Sequence, residues 1–140
     1  AESCTGGLVS SSITSIAGSS NFFESAIISY SNNAKIELLG VNKNLILKHG
    51  AVSKEVALSM AKNLHRLTRS HICASITGIA GPGGGSKQKP VGTVYFSIYK
   101  KIGNKITINN YKKIFNSKNR IIIQKKSNDF LLRELLAIID

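Results

Sequence analysis

The chain has 140 residues, 42% of them hydrophobic, which suits one domain with a packed core and excludes a wholly disordered polypeptide. Its 19 lysines and arginines stand against 7 acids, for a formal charge of +12. Two cysteines make no disulfide framework, no stretch has the length and apolarity of a membrane span, and no basic-then-apolar leader is recognisable, so a cytoplasmic protein without a membrane partner is expected.

The chain opens on Ala1-Glu2-Ser3-Cys4-Thr5-Gly6-Gly7, followed by Leu8, Val9, Ile13 and Ile16 at the spacing of one helix face. A helix start carries unpaired N–H groups and a partial positive charge, so it suits a bound phosphate or the oxyanion of an acyl transfer. Ser3 then fits a nucleophile and Thr5 with Gly6 a cradle; from this heptad alone, Ser3 and Thr5 as simple helix caps are the better-favoured reading. Residues 22–30, rich in Phe, Ile and Tyr, predict a strand. Ser31 starts a short helix through Lys35 and Leu39 that stops at Gly40. Residues 41–52 read as connecting loop. Ser53 caps a helix whose apolar face is Val56, Met60, Ala61, Leu64 and Leu67. Residues 72–77 predict a buried strand, and residues 78–86 a glycine-dense loop. Residues 91–99 and 105–115 alternate as a hairpin across Gly103-Asn104, and a terminal amphipathic helix runs from Asn119. Interleaved helices and strands predict a single α/β layered domain, residues 1–140, with a mixed sheet.

Beyond Ser3, two segments offer chemistry. Tyr30-Ser31-Asn32-Asn33-Ala34-Lys35 brings a phenol and an amine to one strand–helix junction, and a lysine whose pKa is lowered by burial activates a serine. Thr77-Gly78-Ile79-Ala80-Gly81-Pro82-Gly83-Gly84-Gly85 lets a ligand approach bare backbone, without the spacing of a Walker or dinucleotide loop. Cys4 rivals Ser3 but has no nearby histidine, and a small buried thiol is the simpler reading. His49, His65 and His71 lack metal-ligand spacing, so no metal and no cofactor are expected. The basic residues are scattered, with little aromatic interleaving, which disfavours nucleic acid as a partner.

In order along the chain, AESCTGG, AGSS, YSNNAK, LLGV, HGAVS, TGIAGPGGG and KPVGTV resemble the CinA C-terminal domain family, whose enzymatic members are nicotinamide mononucleotide deamidases. The resemblance covers residues 1–93; beyond Lys100 it is one of character alone. It implies an α/β/α sandwich from which the family's leading helix and strand, and the upstream nucleotide-processing domain of larger members, are missing. It also implies hydrolysis of a carboxamide to nicotinic acid mononucleotide and ammonia. Carried over by residue, Ser3 is the nucleophile, Lys35 its general base and Tyr30 the group that positions or relays the proton. Glu2, Thr5, Gly6, Gly7, Asn32, Thr77, Gly78, Gly81, Gly83 and Gly84 would contact the nucleotide. The expected partners are that small substrate and further copies of the chain.

Three departures accompany it. Without a preceding strand, Glu2 and Ser3 are expected to be loosely held. Lys87-Gln88-Lys89 stands where the family carries acids. In residues 115–120, Ser117 and Lys118 replace the Gly and Asp of the family's F-x-G-D-R element. A weak or inactive relative that binds a nucleotide or a protein partner, and a competence- or repair-associated nucleic-acid binder, therefore stay open as alternatives.

Overall fold

The computed structural model describes residues 1–139. Three strands, β1 (Ile72–Gly78), β2 (Thr93–Ile102) and β3 (Lys105–Ile114), form an antiparallel sheet in that order. The register pairs Ile72 with Lys100 and Gly78 with Val94, and Gly103 and Asn104 turn the β2–β3 hairpin as its sequence requires. Glu2 adds the parallel element, bridging Ile28 on one side and Ile76 of β1 on the other.

Strand alternation splits the core into two layers. On one face, Ile76, Val94, Phe96 and Ile98 pack against α5 (Arg120–Ile139) through Ile123, Phe130 and Leu131, with Val9 of α1 (Leu8–Thr14) beside them. On the other, Cys73 meets Val56, Met60 and Leu64 of α4 (Lys54–Thr68), backed by Leu39 of α2 (Asn32–Leu39) and Ile46 of α3 (Lys43–His49). The result is a helix–sheet–helix sandwich. Ser31 and Ser53 cap α2 and α4 by accepting from Ala34 and Val56 N–H, as expected of hydroxyls at those positions.

Three expectations are corrected. Residues 22–30 do not form a strand: Phe22 is 68% exposed, and Ile28 finds a partner in Glu2 alone, so no ladder propagates. Residues 41–52 contain a helix, α3, capped by the Asn42 side chain on Asn44 N–H and anchored by buried Ile46. Ile16 lies beyond α1 and is exposed.

The opening residues are firmly held. Glu2 N–H donates to Ile27 O at 2.9 Å, Ser29 N–H to Glu2 O at 2.8 Å and Ser3 N–H to Ile76 O at 3.1 Å. Inserted between two extended segments, Glu2 and Ser3 behave as sheet interior.

Candidate functional site

Ser3 leaves this bridge at the head of a turn closed by Gly6 N–H on Ser3 O. Gly6 and Gly7 take φ of +58° and +107°, a left-handed pair that folds the chain sharply into α1. That turn aims the first N–H groups of α1 back at Glu2. The Glu2 carboxylate accepts from Gly7, Val9 and Ser10 N–H and from the Thr5 and Ser10 hydroxyls, at 2.5–3.2 Å. Burial pushes this carboxyl up, but the hydrogen bonds from Ser10, Thr5 and Val9 outweigh it and hold it below the usual glutamate value. Glu2 is thus the cap of α1, reached from five residues before the N-cap position, and neither Ser3 nor Thr5 caps the helix directly. The N–H groups of Gly6 and Gly7 and the Thr5 hydroxyl are spent inside the chain, so these three donors of the expected cradle already have partners. Among the described residues, the N–H groups of Cys4 and Thr5, which follow Ser3, donate to no other residue.

Lys35 comes from the first turn of α2 and is 1% exposed. Its Nζ donates to Ser3 Oγ at 2.9 Å, to Ser29 O at 2.9 Å and to Tyr30 O at 3.1 Å. No carboxylate neutralises it: among the described residues the one ion pair within 4.0 Å is His49 with Glu55, at 3.7 Å. Burial lowers its pKa from the ordinary 10.5. As an ammonium, Nζ spends its three N–H groups on these three acceptors; once it loses a proton, the two carbonyls can keep its two remaining N–H donors and its lone pair faces the Ser3 hydroxyl.

Tyr30 departs from expectation. Its backbone carbonyl holds Lys35, but its ring is 59% exposed and its hydroxyl accepts from Arg120 Nη2 at 2.6 Å. Arg120 is the residue sequence reasoning missed. Asn119 caps α5 by accepting from Ile121 and Ile122 N–H, and Arg120, the first helical residue, reaches back to Tyr30 and, through Nη1, to Gly81 O at 2.8 Å. One turn later Gln124 donates to Cys4 O at 2.8 Å, so a single face of α5 clamps the Ser3 turn. The signal lay in the altered segment at residues 115–120, whose arginine survives one place further along.

These groups surround a cleft of about 210 Å³. Ser3, Cys4, Tyr30, Asn32, Lys35, Thr77, Gly78 and Arg120 line it, with Ala51, Val52 and Ala80. Of the remaining expected contacts, Gly81 is buried with its carbonyl on Arg120, and exposed Gly83 and Gly84 lie outside the lining. Thr77 Oγ1 is engaged with Ala51 O at 2.9 Å. The Cys4 thiol, 4% exposed, is pushed up to about 12 by burial, which keeps it protonated and a poor competitor to Ser3. Among the described residues no three His, Cys, Asp or Glu side chains converge as a metal site, and no helix is long and apolar enough to cross a membrane.

The model of the CinA C-terminal domain family matches residues 1–139. The CinA-like protein of Prochlorococcus marinus subsp. pastoris is 55% identical over 140 residues, covering 99% of this chain and 32% of its own length. That of Thermosipho melanesiensis is 47% identical over 140 residues, covering 98% of this chain and 34% of its own length. The chain therefore spans about a third of the curated relatives it matches. Among solved structures, the competence/damage inducible protein CihA from Agrobacterium tumefaciens superposes with a TM-score of 0.94 at 36% identity, over 99% of this chain and 82% of that one. The competence or damage-inducible protein from Enterobacter asburiae gives 0.89 at 29%, over 99% and 84%.

Proposed function

The chain belongs to the CinA C-terminal domain family, and from that premise we propose that it is a serine amidohydrolase that converts nicotinamide mononucleotide to nicotinic acid mononucleotide and ammonia. The observation that carries the reading is the 2.9 Å contact between Ser3 Oγ and the buried, carboxylate-free Nζ of Lys35. Neutral Lys35 takes the Ser3 proton as Oγ attacks the carboxamide carbon. The charge that gathers on the amide oxygen meets the N–H of Cys4, the position that follows the nucleophile in other serine hydrolases. The lysine returns its proton to the departing ammonia, leaving an ester on Ser3. Water then attacks that ester, giving its proton to Lys35 and from there to Ser3, and the acid is released. Arg120, a permanent cation at the lining, suits the substrate phosphate, and Tyr30 positions Lys35 through its carbonyl.

The test is ammonia release from nicotinamide mononucleotide by the purified chain, compared with Ser3→Ala and Lys35→Met. The reading expects both variants to lose at least about a thousandfold in rate; three equal rates overturn it. A second reading, a member that binds the nucleotide without turning it over, is favoured by the Tyr30 hydroxyl being tied to Arg120 rather than offered to Lys35. Calorimetry with the same nucleotide separates the two: heat of binding with no ammonia released supports the second.

A further inference from the structure

A second concavity, of about 230 Å³, sits at the other end of β1 and shares no residue with the Ser3 cleft. The seven residues of β1 separate the two by roughly 20 Å. His65 and Arg69 line it from the end of α4, His71 from the approach to β1, and Lys101 and Gly103 from the β2–β3 turn.

Its charge is of one sign. Arg69 and Lys101 are cations, and no acid lines the concavity. None is near in the chain either, because no Asp or Glu occurs between Glu55 and Asp129. The C-terminus of α4 carries about half a negative charge and attracts basic groups by itself. That offsets at most one cation, and Lys101 belongs to a different element.

The backbone that carries these groups is held in place, as is the His65 ring. Arg69 sits at φ +62°, a left-handed backbone that glycine adopts at a helix end without strain. An arginine there costs backbone energy, and its N–H still closes α4 on His65 O at 2.8 Å. The His65 ring lies against Tyr99, centroids 5.1 Å apart, with Nδ1 at 2.9 Å from Ser70 O. A carbonyl partner places the proton on Nδ1 and leaves Nε2 uncommitted. Lys101 N–H donates to His71 O at 2.8 Å, tying the hairpin to the approach to β1.

We propose that this concavity binds a phosphate group, best matched by the terminal phosphate of a small phosphomonoester. Two cations and two imidazoles from three segments line one compact depression, whereas a polynucleotide backbone calls for a stripe of cations. The site is independent of the Ser3 chemistry.

The experiment is an amide and imidazole NMR titration of the whole chain with inorganic phosphate, glycerol phosphate and a single-stranded decanucleotide, against chloride at matched ionic strength. Saturable shifts are expected at His65, Arg69, His71 and Lys101, with affinity reduced roughly tenfold by Arg69→Gly and by Lys101→Met. Neither substitution endangers the fold, since glycine suits the left-handed backbone and methionine keeps an aliphatic stem. Tighter binding of glycerol phosphate assigns a small ligand; tighter binding of the oligonucleotide through the same residues assigns polymer phosphates as the source. Shifts no larger than those caused by chloride, or wild-type affinity in both variants, overturn the proposal.

Discussion

The two ends of β1 treat a lysine in opposite ways. At the Gly78 end, Lys35 is sealed from solvent, faces two carbonyls and a hydroxyl, and has its pKa lowered by burial. At the His71 end, Lys101 is half-buried on a hairpin with other cations and no acid. On the two readings proposed above, one side chain type would serve as a base where water is excluded and as an anion-attracting charge where water reaches it. Burial, more than residue identity, decides which chemistry a cation performs.

The comparison is broken most severely by exchanging each lysine for methionine. Lys35→Met is expected to abolish turnover by about a thousandfold or more while the melting temperature holds or rises, because an uncompensated buried amine is removed. Lys101→Met should leave turnover within about twofold. Comparable loss in both would erase the distinction. The pH dependence sharpens it further. Between the lowered folded pKa of Lys35 and 10.5, the unfolded chain binds more protons, so stability climbs with pH. Urea midpoints across that range should show the climb in the wild type and a flatter line in Lys35→Met.

The next effect concerns the support under Ser3. Glu2→Gln replaces an acceptor of five hydrogen bonds by a half-donor, and should cost about 2–3 kcal/mol in urea denaturation at neutral pH. The folded pKa of Glu2 lies below 4.5, so its contribution is complete above the unfolded value and is lost as pH falls through the folded one. The deficit of the variant should therefore shrink in acid; a deficit that stays constant down to pH 2 contradicts this role. The smallest effect belongs to Arg69→Gly, expected to gain about 0.5–1 kcal/mol by relieving the left-handed backbone. Melting temperatures check that sign, and a loss would show that the Arg69 side chain contributes more to folding than its backbone costs.

The elements that obey local rules were legible in the sequence. Ser31 and Ser53 announced their helices, Gly103-Asn104 its hairpin, and the period of α4 its buried face. Ser3 and Lys35 were legible as a pair because the motif order implied it, and 32 residues of separation close to 2.9 Å. What escaped depends on contacts distant in the chain. A cap is sought beside its helix, whereas Glu2 caps α1 across the Gly6–Gly7 turn. Residues 22–30 have strand composition but one residue to pair with. Seven-residue α3 is too short for a periodic signal and is fixed by Asn42 and Ile46. Arg120 lies 90 residues from Tyr30, and nothing local to either predicts that they meet.

The central claim is that burial lowers the pKa of the lysine beside Ser3 and so eases its use as a base. The most direct measurement is the titration of the Lys35 side chain by carbon-13 NMR of its Cε, read against the other lysines. Lys35 should titrate below 10.5; a Lys35 that titrates at 10.5 or above contradicts the account.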